Sequence, residues 1–163
     1  MLEFLQLEIL PGLPGINQTL DVMVDLTNNA LLDPIVRSTA LRLLPGSSDP
    51  VQLATRIRNY IARRLTRIME RPEQLHPPDW LLYQMQRGPV AGDCDDAAML
   101  AAALLASLGF DVHFVVFQNL ANPDDMHVFT EVFTANGWIP VDPAVPIGAT
   151  PPPGWVQIME RNV

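Results

Sequence analysis

Residues 88–110 read GPVAGDCDDAAMLAAALLASLGF and contain Cys94, the only cysteine of the 163 residues. The stretch from Asp93 to Leu108 is predicted as a helix. Alanine and leucine have the highest helix propensities, acidic residues fill its first turn, and Gly109 stands where a helix ends in the left-handed conformation. It is apolar nearly all round, which places it inside the protein. Cys94 therefore begins a buried helix. A free cysteine in such a position often just fills a small apolar gap. At a helix start the sulfur also faces unpaired backbone N–H groups, which stabilise a thiolate and can hold an oxyanion. Asp93, Asp95 and Asp96 oppose that effect, because nearby negative charge raises a thiol pKa. A nucleophile here needs a histidine partner.

The chain around this helix is one domain's worth, with 48% hydrophobic and 17% charged residues, and neither a disordered nor a membrane-spanning composition. The amino terminus, with Glu3 and Glu8 and no early arginine, lacks the order of a secretory signal, so a cytoplasmic protein is expected. One cysteine and three histidines make a poor kit for a structural zinc site, and no metal or cofactor is expected. The net charge of −8 argues against generic nucleic-acid binding. All ten basic residues are arginines, and six of them crowd into residues 56–71. Such a run is usually a solvated helix face; the alternative is a docking surface for an acidic protein through Arg56, Arg63, Arg64 and Arg67.

Upstream, residues 1–15 read as an arm or edge strand followed by turns, and helices are predicted from Asn17 to Leu32, from Pro34 to Leu44, and from Pro50. The last carries a stripe of Val51, Ala54, Ile57, Ile61, Leu65 and Ile68, with Asp49 as its cap. Residues 71–92 hold four prolines and are expected to wrap as a loop with one short helix near Trp80–Gln86. Downstream the period changes to two, giving strands over 110–117, 126–134 and 137–143, joined by QNLANPDD and TANG. Helices first and antiparallel strands after is the order of an α+β fold. The proline-rich tail, 144–163, is expected to cross the surface.

Three histidines compete as partner of Cys94. His76 precedes two prolines and reads as solvent-facing; His113 alternates with Val112 and Phe114 and reads as a surface or satisfied core residue. His127 opens a strand just after a polar loop, where a ring can face a cleft. Asp142 lies fifteen residues on, where a hairpin could bring its carboxylate to the ring.

GDCDDAAMLAAALLASLGFDVHFVVF, then HVFTEV, then GWIPVDP, resembles the transglutaminase-like superfamily, which shares a papain-like α+β fold. The resemblance covers roughly residues 88–143 and implies Cys94 as nucleophile, His127 as base and Asp142 as the orienting acid. It also implies an upstream oxyanion side chain, for which Gln86 is the first candidate and Gln84, Tyr83 and Trp80 also qualify chemically. Trp138 belongs to the strand motif and is expected to pack in the core. The upstream helices resemble those of small transglutaminase-like proteins of tailed phages and prophages, which implies a host-cytoplasm or virion setting. The resemblance implies a cysteine peptidase or amidase acting on a protein or peptide; the alternatives are a crosslinking transglutaminase and a non-catalytic virion or scaffold protein that keeps the fold. With no lysine in the chain, it cannot serve as a lysine acceptor in its own crosslinking.

Overall fold

The computed structural model describes residues 4–44, 46, 49–68, 74–145, 147, 149 and 151–163. Strand β1 (Leu5–Gln6) precedes helices α1 (Leu13–Ala30), α2 (Pro34–Leu43) and α3 (Pro50–Arg64). Next come β2 (Leu65–Arg67), β3 (Gln74–Leu75), α4 (Pro78–Met85), β4 (Val90–Gly92) and α5 (Cys94–Ala106). Strands β5 (Val112–Asn119), β6 (Asn122–Thr134), β7 (Gly137–Val141) and β8 (Trp155–Asn162) follow. The expected α+β order is the observed one.

Local chemistry sets most of the helix starts. Asp33 and Asp49 each accept the N–H two residues on, at 2.9 Å, and each is followed by a proline whose missing N–H costs nothing in a first turn. Helix α1 begins at Leu13, four residues before the expected Asn17, because Pro14 is tolerated inside that first turn. At the far end of α5, the Gly109 N–H bonds the Ala106 carbonyl and the Phe110 N–H bonds that of Leu105, with Gly109 at φ +88°. That is a Schellman closure, and glycine fits its positive φ without strain.

Helix α5 is the centre of the molecule. Every residue from Asp95 to Leu105 is buried, with β6 and β5 on one side and α1, α2, α3 and α4 on others. Burying its leucines contributes roughly 1.5–3 kcal/mol each relative to exposure. The four-stranded sheet runs β7-β6-β5-β8, antiparallel throughout. Along β6, Val128, Thr130 and Val132 are buried toward the core, and the Thr130 hydroxyl donates to the Ala98 carbonyl at 2.7 Å, tying the sheet to α5. The alternate residues, His127, Phe129 and Glu131, line a groove on the other side.

Several elements depart from the sequence expectation. The apolar stripe of α3 does not continue as helix to Ile68. The chain turns extended at Leu65, and β2 pairs in parallel with β4, Arg67 opposite Gly92. Long-range pairing here overrides a periodicity that helix and strand share. QNLANPDD is not an open loop: β6 starts at Asn122, and a register shift at Gln118/Asn119 absorbs the extra residues. Pro123 is tolerated because this end of β6 pairs only with β5. The tail contributes a full strand, β8, against β5. No helix among the described residues is long and apolar enough to cross a membrane.

The arginines have a structural role that the run did not announce. Arg37 donates to the Ser107 carbonyl, Arg56 to that of Leu44 and Arg64 to that of Met85, the last at 2.6 Å. Each acceptor lies at the C-terminal end of another helix, where carbonyls lack partners and the helix dipole favours a cation. Arg58 donates to the Val145 carbonyl. The face proposed for an acidic partner is thus divided: Arg56 and Arg64 are engaged, while Arg63 and Arg67 make no hydrogen bond or ion pair among the described residues. Arg71 and Glu70 lie outside the described residues.

Candidate active site

The helix start that carries Cys94 is held from three directions. The Asp93 side chain accepts from the N–H groups of Asp95 and Asp96, and Asp96 Oδ2 accepts in return from the Asp93 N–H, a reciprocal capping box. The Cys94 N–H takes part in neither bond. Asp96, fully buried, also accepts from the His76 N–H at 2.8 Å, and its Oδ2 lies 2.9 Å from His76 Nδ1. Gly92 lets β4 run against this corner, since a Cβ there would fall 2.6 Å from Asp96 Oδ2 and 2.9 Å from Leu65 Cδ1. His76 is therefore not the solvent-facing residue expected from its prolines. It is buried, stacked on Trp80 with ring centroids 5.0 Å apart, and through Asp96 it braces the start of α5.

Across the sheet, His127 Nε2 and Asp142 Oδ2 are 2.6 Å apart. Asp142 sits just past β7, where its Oδ1 also accepts the Ala144 N–H at 2.8 Å. Burial alone would raise its pKa, but the hydrogen bond and charge of His127, the Ala144 N–H and Arg67 outweigh burial and hold it below the ordinary carboxylate range. An ionised Asp142 can only accept, so Nε2 carries the shared hydrogen. In the neutral ring Nδ1 is then an acceptor with a free lone pair. That atom is buried and has no hydrogen-bond partner among the described residues.

Cys94, His127 and Asp142 line one cavity of about 180 Å³. It shares Arg67, His127 and Asp142 with a groove of about 800 Å³, and Asp93, Cys94 and His127 with a cavity of about 330 Å³. His127 lines all three. The half-buried sulfur lies 3.8 Å from Asp95 Oδ1. Its pKa is pushed strongly up, first by burial and then by Asp95 and Asp93, against weaker help from a Val128 backbone hydrogen bond and from Arg67. Cys94, Asp93 and Asp95 place three possible ligand atoms, one sulfur and two carboxylate oxygens, within 4.8 Å of one another.

The other sequence candidates lie elsewhere. Gln86 is the exposed C-cap of α4 and lines none of the three cavities. Gln84 accepts from Arg87, Tyr83 donates to Asp33, and Trp80 stacks on His76. His113 is buried and satisfied, 2.8 Å from Glu131. Trp138 does not pack in the core. It is 41% exposed and stacks on His113 at 3.8 Å, forming part of the groove wall. The sheet residues that alternate with the core set point to this side, which is where position 138 falls.

A family model described as the transglutaminase-like superfamily matches residues 37–143. The chain belongs to the transglutaminase-like superfamily. Among solved structures it is similar to a Cytophaga hutchinsonii protein described as a "putative cysteine protease", with TM-score 0.59 and 18% identity over 96% of this chain and 51% of that one. A second match is red sea bream transglutaminase, with TM-score 0.47 and 20% identity over 73% of this chain and 26% of that one. The chain spans about half the length of the first structure and about a quarter of the second. No curated protein matches. At such identity the first likeness shows the fold, an α+β transglutaminase-like arrangement with Cys94 at a helix start.

The depressed Asp142 pKa has a pH signature in this superfamily member. A carboxylate whose folded pKa lies below its unfolded value of about 3.9 contributes stability that is full above that value and is lost as pH falls through the folded pKa. Asp142→Asn is expected to be less stable than wild type by about 1–3 kcal/mol at pH 7. The gap should close below about pH 4, as followed by urea unfolding at several pH values. A gap constant with pH would show that Asp142 carries no depressed pKa.

Proposed function

We propose that the protein is a cysteine enzyme of amide acyl transfer, with water as acceptor, hence a peptidase or amidase. The observation that carries this reading is the bonded His127–Asp142 pair, whose unpartnered Nδ1 is buried at a cavity that Cys94 also lines. His127 Nδ1 takes the thiol proton as sulfur attacks the carbonyl carbon, and Asp142 stabilises the imidazolium that forms. The Cys94 N–H, left out of the capping box, is the backbone donor for the oxyanion. Collapse gives a thioester on Cys94, and the leaving amine takes the proton from His127. His127 then draws a proton from water as it attacks the thioester, which releases the carboxylic acid and restores the thiol. Burial and the neighbouring Asp95 disfavour a free thiolate, so in this reading proton transfer to His127 accompanies attack.

p-Nitrophenyl acetate tests the reading. A burst of p-nitrophenolate should accompany addition of one acetyl group to Cys94, detected by peptide mass. His127→Ala should slow acetylation by about 10²–10⁴-fold. Acetylation at other sites only, or an unchanged rate in His127→Ala, would overturn the mechanism.

A further inference from the structure

We infer that Arg67 forms a carboxylate-binding subsite beside Cys94, selecting substrates that carry an acidic side chain next to the scissile amide. The inference rests on the reading of Cys94 as nucleophile. Strand pairing fixes the position of Arg67: its backbone lies opposite Gly92, two residues before the cysteine, and the Ile68 N–H donates to the Gly92 carbonyl at 2.9 Å. The exposed Arg67 side chain lines both the cavity of Cys94 and the large groove, at the seam between them.

No other arginine lines any of the three cavities among the described residues, and the chain has no lysine. The remaining charges are negative: Asp142, which lines the same two cavities as Arg67 and whose ionised form Arg67 favours, Asp93, Asp95 and Asp124 on the Cys94 side, and Asp125 and Glu131 in the groove. Unlike the arginines that cap helix ends, Arg67 has no hydrogen-bond or ion-pair partner among the described residues. Its planar fork matches a carboxylate in bidentate geometry. A single cation among several carboxylates suits one negative charge better than the two of a phosphate. The three cavities share lining residues in series, and a substrate chain laid along them would present a side chain to Arg67.

Cys94 supplies the probe, since alkylation reports on one thiol. Iodoacetate and iodoacetamide differ in little but the carboxylate. The ratio of their rate constants on native protein is expected to fall about five- to tenfold in Arg67→Gln, and to fall further in Arg67→Glu. Arg63→Gln, which removes an equal charge away from the cavities, should leave the ratio at the wild-type value. Taking a ratio cancels any effect of Arg67 on the reactivity of the thiol itself. An unchanged ratio in Arg67→Gln, with both reagents still reacting, overturns the subsite and leaves the nucleophile reading standing. Failure of both reagents to label native wild-type protein, with labelling only after denaturation, overturns the nucleophile reading and the subsite with it.

Discussion

Cys94→Ala is expected to abolish turnover on any amide or ester substrate, a fall of at least about 10³-fold, while the melting temperature stays within a few degrees of wild type. The chemical half follows from the composition, because no second thiol exists to replace the first. The structural half follows from the cap. The bonds that fix the start of α5 run from the Asp93 and Asp96 side chains to backbone N–H groups, and none passes through the Cys94 side chain. The substitution also removes a polarisable group from between two carboxylates that already raise its pKa. Cys94→Ser tests the same point with a near-isostere whose hydroxyl holds its proton more tightly. Retention of turnover in either variant would remove Cys94 from the chemistry. A large loss of melting temperature would return it to the role of a packed core residue.

The second large effect concerns a residue that never meets substrate. Asp96→Ala is expected to cost about 3–5 kcal/mol, because it strips a buried carboxylate from the His76 ring, the His76 N–H and the Asp93 N–H together. For a chain of this length that corresponds to a fall of roughly 6–20 °C in melting temperature. Asp96→Asn keeps part of the accepting capacity and should fall between. Thermal unfolding decides it: a loss under about 1 kcal/mol would mean that the His76–Asp96 pair is not a brace for the helix start.

What could be read from the sequence depended on how local its cause was. The α5 helix was legible because its cap, its alanine-rich body and its terminal glycine lie within one short stretch. His127 and Asp142 were legible as a pair because a single hairpin connects them. The brace between His76 and Asp96 was not, since the two lie twenty positions apart with a helix between them and proline flanks ordinarily signal exposure. The β2–β4 pair was hidden for a different reason: Leu65 continues a helical period while forming a strand, and only its distant partner, Val90, distinguishes the two. Strand β8 follows a proline-rich stretch that gives no hint of the sheet beyond it. Of the oxyanion candidates, Gln86 stands exposed at the C-terminal end of α4, while Tyr83 bonds Asp33 and Trp80 stacks on His76, contacts that no local pattern announces.

Strand β8 has a consequence for the order of events on the ribosome. It pairs with β5, and its Arg161 reaches Asp21 and Asn17 on the first helix, while Pro151, Pro152 and Trp155 wall the large groove. A nascent chain that has emerged only through Asp142 already holds the cysteine, the histidine and the aspartate. It still lacks that wall, and β5 remains a bare sheet edge open to other chains. At the usual 5–20 residues per second, the interval lasts about one to four seconds. During it Cys94, His127 and Asp142 are present without the residues that wall the groove beside them, so completion of the groove is timed by translation.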